Sequence, residues 1–145
     1  MYNRIFALAL MISLVFGCAP SPKPIEYGAD FCDFCRMTIV DQQHAAELVS
    51  QKGKVYKFDA IECMIQYKQE NNEIPFALSL VNDYLEPGVL VDATQCSYLI
   101  SPAIPSPMGA NLSAFLAQKT GDRMRQEHGG ELYSWDSIQI QIGAH

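Results

Sequence analysis

KVYKFDAIECMIQYKQEN, residues 54–71, changes its hydrophobic period in the middle, and the fold follows from where it changes. Up to Phe58 apolar and polar side chains alternate, with β-branched and aromatic types among them, as in a half-buried strand. Beyond it Ile61, Met64, Ile65 and Lys68 recur at helical spacing, so a helix is expected to run to about Asn71. Asp59, with Glu62 three positions on, has the form of a capping box for that helix. Upstream, Gly53 and Lys54 supply turn material. His44–Ser50 reads as the partner strand, and a further strand is expected at Met37–Val40. Downstream, Pro75 ends the helical region and FALSLVNDY, residues 76–84, resumes as a strand.

The same order returns in the second half. Gly88–Asp92 and Cys96–Ile100 read as strands, a proline-rich loop follows, and a helix is expected over Asn111–His128, closed by Gly129. A last strand is expected at Glu131–Trp135. Strand, strand, helix, strand appears twice, which predicts an α+β domain of two ββαβ units on antiparallel or mixed sheets. Gly121, inside the second helix, costs about 1 kcal/mol relative to alanine and marks a place for a break or kink.

At the N-terminus MYNR carries a positive charge and precedes the apolar run IFALALMISLVFG. That run is too short to span a bilayer and has the proportions of a secretory signal. Gly17 directly before Cys18, with Val15 two positions earlier, has the form of a bacterial lipobox. The expected divisions are a signal peptide at 1–17, a lipidated tether at 18–29 starting at Cys18, and a folded domain at 30–145. Three prolines in CAPSPKPIEYG suit an extended tether. A lipid on Cys18 would attach the chain to the membrane with the domain facing the periplasm, since no later segment approaches spanning length. The formal charge of −6 becomes more negative once Arg4 is removed, and no cluster of Lys or Arg goes beyond a pairing such as Arg123 with Arg125. This lacks the electrostatic footprint that phosphate backbones require, so nucleic acid is excluded as a partner.

Four cysteines remain after Cys18: Cys32, Cys35, Cys63 and Cys96. Exported cysteines usually pair, and four thiols fit two disulfides as well as a metal site. The stretch DFCDFCRMTIVD, residues 30–41, therefore supports several chemistries. A redox dithiol needs its first cysteine at a helix N-terminus, whereas this segment runs into residues that prefer a strand. Asp33 between the thiols would raise their pKa values by like-charge repulsion. Structural zinc commonly uses two CxxC pairs, and only one is present. Soft-metal chemistry uses every sulfur: Cys32, Cys35 and Met37 together offer the thiolate and thioether ligands that select Cu(I). Cys63 and Met64 lie in the first turns of the expected helix, where the dipole favours a thiolate at Cys63, although Met64 also suits core packing. Met108 follows Pro102, Pro105 and Pro107 and precedes Gly109, which can hold it in a defined exposed position.

Taken in order, CDFCRMTIVD, KVYKFDAIECM, VNDYLEPGVLVDATQCSYLI, SPMGANLSAF and EHGGELYSW resemble one family, the nitrous oxide reductase accessory lipoproteins called NosL. The resemblance implies a membrane-anchored Cu(I) chaperone, not an enzyme, that supplies copper for maturation of nitrous oxide reductase. It also implies a fold of paired ββαβ units similar to part of the organomercurial lyases. Carried over residue by residue, its copper site maps onto Cys35 and Met108, with Cys32 and Met37 close by. The family often has glycine at the position of Arg36 and threonine at that of Ser106. A cation at Arg36 would lower a neighbouring thiol pKa and repel Cu(I).

Cys63, Met64 and His128 are weaker ligand candidates, His128 being suited to the helix C-terminus on electrostatic grounds alone. His44 begins a strand and His145 ends the chain. Two other readings stay open on the residues: a periplasmic thiol oxidoreductase or lyase with Cys63 or Cys96 as nucleophile, and a disulfide-stapled lipoprotein without metal. No Ser, His and Asp arrangement or carboxylate pair stands out in the sequence as a catalytic group.

Overall fold

Gly53, in the left-handed conformation at φ 82°, turns the chain between β1 (Ala46–Ser50) and β2 (Val55–Phe58). Only a residue without a Cβ adopts that geometry freely. The computed structural model describes residues 19–144, so the signal segment, Cys18 and His145 lie outside the described residues. The hairpin pairs Leu48 with Tyr56 and Ala46 with Phe58, in the antiparallel register that the alternation requires. Helix α1 (Ile61–Glu70) follows, then β3 (Phe76–Asn82), which pairs with the other side of β1. The first unit is therefore ββαβ, with its earliest strand in the middle.

The second unit has the same plan built from different residues. β5 (Ser97–Ile100) is central, β6 (Leu112–Phe115) and β7 (Glu131–Tyr133) flank it, and α2 (Gln118–His128) connects them. Leu112–Phe115, expected as the start of the helix, is thus a fully buried strand. LSAF carries no breaker and no clear period, so its state is decided by the free edge of β5. The segment expected at Gly88–Asp92 is β4 (Leu90–Asp92), and it extends the first sheet by pairing with β3. The sheets run β2-β1-β3-β4 and β6-β5-β7.

Two further expectations are corrected. Met37–Val40 forms no strand; Phe31 and Thr38 make an isolated bridge and nothing more. After β7 the chain enters α3 (Trp135–Gly143), which the sequence reading lacked. Ser134 and Ser137 make its capping box, with serine in the place usually held by Glu or Gln. Gly121 does not break α2: a Cβ there would meet Ser97 Oγ and stand 3.1 Å from Ser97 Cβ. The glycine is there for close helix-to-sheet approach.

Both units share one core. Leu48, Phe58, Ile61, Met64, Ile65, Tyr98, Leu112 and Ile138 are fully buried in it, each adding about 1.5–3 kcal/mol of transfer free energy. Leu99, Ile104, Phe115 and Met124 form a second cluster that includes the buried face of α2. α3 lies against α1, where Gln69 Nε2 donates to Gln139 O at 2.7 Å. Packing extends upstream of Asp30: Lys23 N donates to the buried Glu47 at 3.0 Å, Lys57 Nζ donates to Pro24 O at 2.7 Å, and Ile25 enters the core. Among the described residues no helix is long and apolar enough to cross a membrane.

Candidate metal centre

β2 ends at Phe58 and α1 begins at Ile61, leaving Asp59 and Ala60 as the corner between them. The expected capping box does not form: the N-cap is Ala60, and no side chain caps it. Both carboxylates have other partners. Asp59 accepts from the Cys35 thiol at 3.3 Å, and Glu62 accepts from Ser106 and Ala110 on a distant loop. Cys63 lies in the first turn of α1, and its sulfur lies within 4.8 Å of a carboxylate oxygen of Asp59.

The CDFC segment is a tight loop stitched to the edge of β2. Asp33 N donates to Lys57 O and Lys57 N donates to Asp33 Oδ2, both at 2.8 Å. Inside the loop Cys32 N donates to Met37 O at 2.8 Å and Arg36 N to Cys32 O at 3.0 Å. Arg36 closes the turn at φ 67°, where glycine would sit without strain. Its exposed side chain lies 4.0 Å from Asp33.

This docking gathers four ligand atoms. The sulfurs of Cys32, Cys35 and Cys63 and a carboxylate oxygen of Asp59 all lie within 4.8 Å of one another. Cys32 and Cys63 are fully buried, whereas Cys35 is partly open to solvent. The charge within the cluster is unevenly placed. The Cys63 thiol donates to Cys32, and backbone N–H groups of Asp59, Cys35 and Phe34 aid it, pulling the Cys32 pKa down to about 6. Cys63 is driven far upward because its proton is held in that bond and its surroundings are desolvated. Burial raises Cys35 to about 11. The hydrogen bond from Cys63 thus favours the thiolate at Cys32, not at Cys63 as expected from the helix dipole. Asp33, expected to raise the thiols, has its carboxylate engaged by the β2 backbone.

The methionine sulfurs differ in burial and surroundings. Met64 is fully buried in the core. Met37, at the end of the loop, is half-exposed. Met108 lines a cleft of about 350 Å³ with Glu62, Gln66, Gly109, Ala110 and Ile142, a lining that includes none of the three clustered cysteines. The two regions meet on α1, where Glu62 and Cys63 are consecutive. His128 ends α2, exposed and 4.0 Å from Glu127. Cys96 is buried apart from the cluster, with its thiol donating to Asp92 O at 3.4 Å and pushed up to about 12 by burial. The four cysteines among the described residues are free thiols, and Cys63 neighbours Cys32, not Cys96.

Two features escaped sequence reasoning. Asp59 looked like a helix cap, and no spacing in the sequence marked it as a member of the cluster. A hydrogen-bonded Asp41, His44 and Ser113 series is also present, with Nδ1 3.1 Å from Asp41 Oδ1 and Nε2 3.1 Å from Ser113 Oγ. Ser113 is fully buried and His44 nearly so, leaving no room for an acyl substrate. The series ties the entrance of β1 to β6 as a polar strut.

The chain is similar to known proteins of one family. A family model described as NosL matches residues 24–142. The copper-binding lipoprotein NosL of Stutzerimonas stutzeri is 26% identical over 127 residues, covering 81% of this chain and 67% of the relative. The crystal structure of the copper chaperone NosL from Shewanella denitrificans matches with a TM-score of 0.70 at 19% identity, covering 81% of this chain and 94% of that one. At that identity the likeness concerns the fold.

Proposed function

The chain belongs to the NosL family, and on that premise we propose that it is a Cu(I) metallochaperone, held at the membrane by a lipid on Cys18 and facing the periplasm. Its cargo goes to nitrous oxide reductase or the machinery that matures it. One observation carries the reading: three thiol sulfurs converge within 4.8 Å at a corner that is partly open at Cys35. Thiolates select Cu(I), and a site open on one side lets an incoming ligand from an acceptor replace those of the donor. Cys35 and Cys32, with Cys63, supply the thiols. Met37 and Met108, both exposed, supply thioethers as the ion enters or leaves.

A nucleophilic role for the thiols has less support. Cys63 is sealed in the core and Cys96 is nearly so, and both are held as neutral thiols by burial and hydrogen bonding. Asp59 favours a second reading of the same cluster. Three thiols and a carboxylate oxygen also make a tetrahedral set acceptable to Zn(II).

The test is anaerobic titration of the folded domain with Cu(I) against a colorimetric chelator, with Zn(II) titrated in parallel. Binding of one Cu(I), weakened by at least tenfold in Cys35→Ser and in Met108→Leu with the circular dichroism spectrum unchanged, is the expected outcome. Retention of wild-type Cu(I) affinity in both variants removes the ligand assignment. Tight Zn(II) binding with no Cu(I) uptake replaces the chaperone reading by the second one.

A further inference from the structure

We propose that Glu62 is a positioning residue that clasps the Met108 loop onto the helix carrying Cys63, and so sets where the Met108 thioether is presented. The inference rests on the reading of Met108 as a copper ligand. The loop cannot hold itself by backbone pairing alone, because Pro102, Pro105 and Pro107 have no N–H to give. Its conformation is also unusual on the far side of Met108, with Gly109 at φ 83° and Asn111 at φ 57°.

Glu62 supplies an acceptor from outside the loop that ties its two sides together. Ser106 Oγ and Ala110 N both donate to the same oxygen, Glu62 Oε1. These donors stand two residues before and two residues after Met108, so a single carboxylate oxygen closes the arch around it. Ser106 Oγ in turn accepts from Asn111 N at 2.9 Å, and Gly109 N donates to Ser106 O at 3.0 Å. The arch is cross-braced at its base, with the half-exposed thioether at its crown.

Packing alone does not explain a carboxylate here. Glu62 is 4% exposed and its second oxygen, Oε2, is buried without a hydrogen-bond partner. Such burial is costly, and an apolar side chain of similar size would fill the same space more favourably. What an apolar residue could not do is accept hydrogen bonds from both sides of the Met108 arch. Glu62 also precedes Cys63 directly, so movement of the first turn of α1 and movement of the Met108 arch are coupled through one residue.

The experiment is a double-mutant cycle on Cu(I) affinity, measured anaerobically by chelator competition on the folded domain, with copper X-ray absorption as a second readout of sulfur coordination. Glu62→Ala is expected to weaken Cu(I) about tenfold and to reduce the thioether contribution to the absorption spectrum, because the arch loses both links. Glu62→Gln, whose amide oxygen can accept the same two bonds, should retain most of the affinity. The Glu62→Ala/Met108→Leu variant should bind no more weakly than Met108→Leu alone, since Glu62 acts through Met108. Ser106→Ala, which deletes one link and spares the carboxylate, is the milder companion and should weaken Cu(I) only while Met108 is present. Additive losses, or wild-type affinity in both Glu62→Ala and Ser106→Ala, overturn the positioning role. Wild-type affinity in Met108→Leu instead overturns the ligand reading on which it rests.

Discussion

Cys63→Ala tests the electrostatics of the cluster directly. In the folded protein the Cys63 thiol donates to Cys32, and this is the largest influence pulling the Cys32 pKa down to about 6. Cys35 stands at about 11 and Cys63 is higher still, so a single thiolate is held by the cluster at neutral pH. A group with a pKa near 6 is about 97% ionised at pH 7.5, whereas one at the ordinary thiol value near 8.5 is about 10% ionised. Removing the donor by Cys63→Ala should move Cys32 most of the way between these limits, and the ultraviolet thiolate absorbance at pH 7.5 should fall several-fold. Cys63→Ser keeps a donor in place and should preserve most of the signal. A pH titration of thiolate absorbance on the metal-free domain, followed by circular dichroism to verify folding, measures both. An unchanged absorbance in Cys63→Ala refutes the assignment of the thiolate to Cys32 through this hydrogen bond.

Two other outcomes concern the scaffold. Gly121→Ala, which by helix propensity alone would stabilise α2 by about 1 kcal/mol, should instead destabilise the domain by about 1–3 kcal/mol, because the new Cβ meets Ser97 Oγ, and Leu132 Cδ2 at 3.3 Å. Urea denaturation measures the change, and a stabilised variant contradicts the close approach described. Burial raises the pKa of the fully buried Glu47, whose Oε2 has no hydrogen-bond partner. Its folded pKa is above its unfolded one, so its contribution to stability is fully present below the unfolded value and lost as pH rises through the folded one. Glu47→Gln removes this dependence, and its stability relative to the wild type should improve as pH rises from about 4 to 7. Parallel pH profiles for the two proteins would show that Glu47 titrates normally.

Much of the scaffold was legible because its signals are local. The hairpin around Gly53, the periodicity of α1 and the last two residues of α2 need only nearby residues to be read. The misread segments are those whose state depends on a neighbour. Leu112–Phe115 becomes a strand because β5 has a free edge, and Leu90–Asp92 joins β3 instead of starting the second unit. α3 was missed because its cap is Ser134 with Ser137, a weaker pattern than Ser with Glu. At the site, the cysteine spacing pointed to Cys32 and Cys35, but neither period nor spacing distinguishes Asp59 as a cap from Asp59 as a cluster member.

By itself the sequence determined the chemical inventory: which sulfurs are available, an acidic net charge, and a repeated strand, strand, helix, strand order. Those follow from composition and from periods of two and 3.6 residues, which are properties of a chain segment. Only the tertiary structure decided that Cys63 meets Cys32 and Cys35 at the β2–α1 corner, that Asp59 joins them, and that Glu62 spans to Ser106 and Ala110 around Met108. Those contacts join residues from 24 to 48 positions apart, and the free energy that selects them comes from burial and hydrogen bonding in the assembled core. The same Asp59 and Glu62 could cap a helix in isolation, and they do not do so here because the fold offers each a better partner.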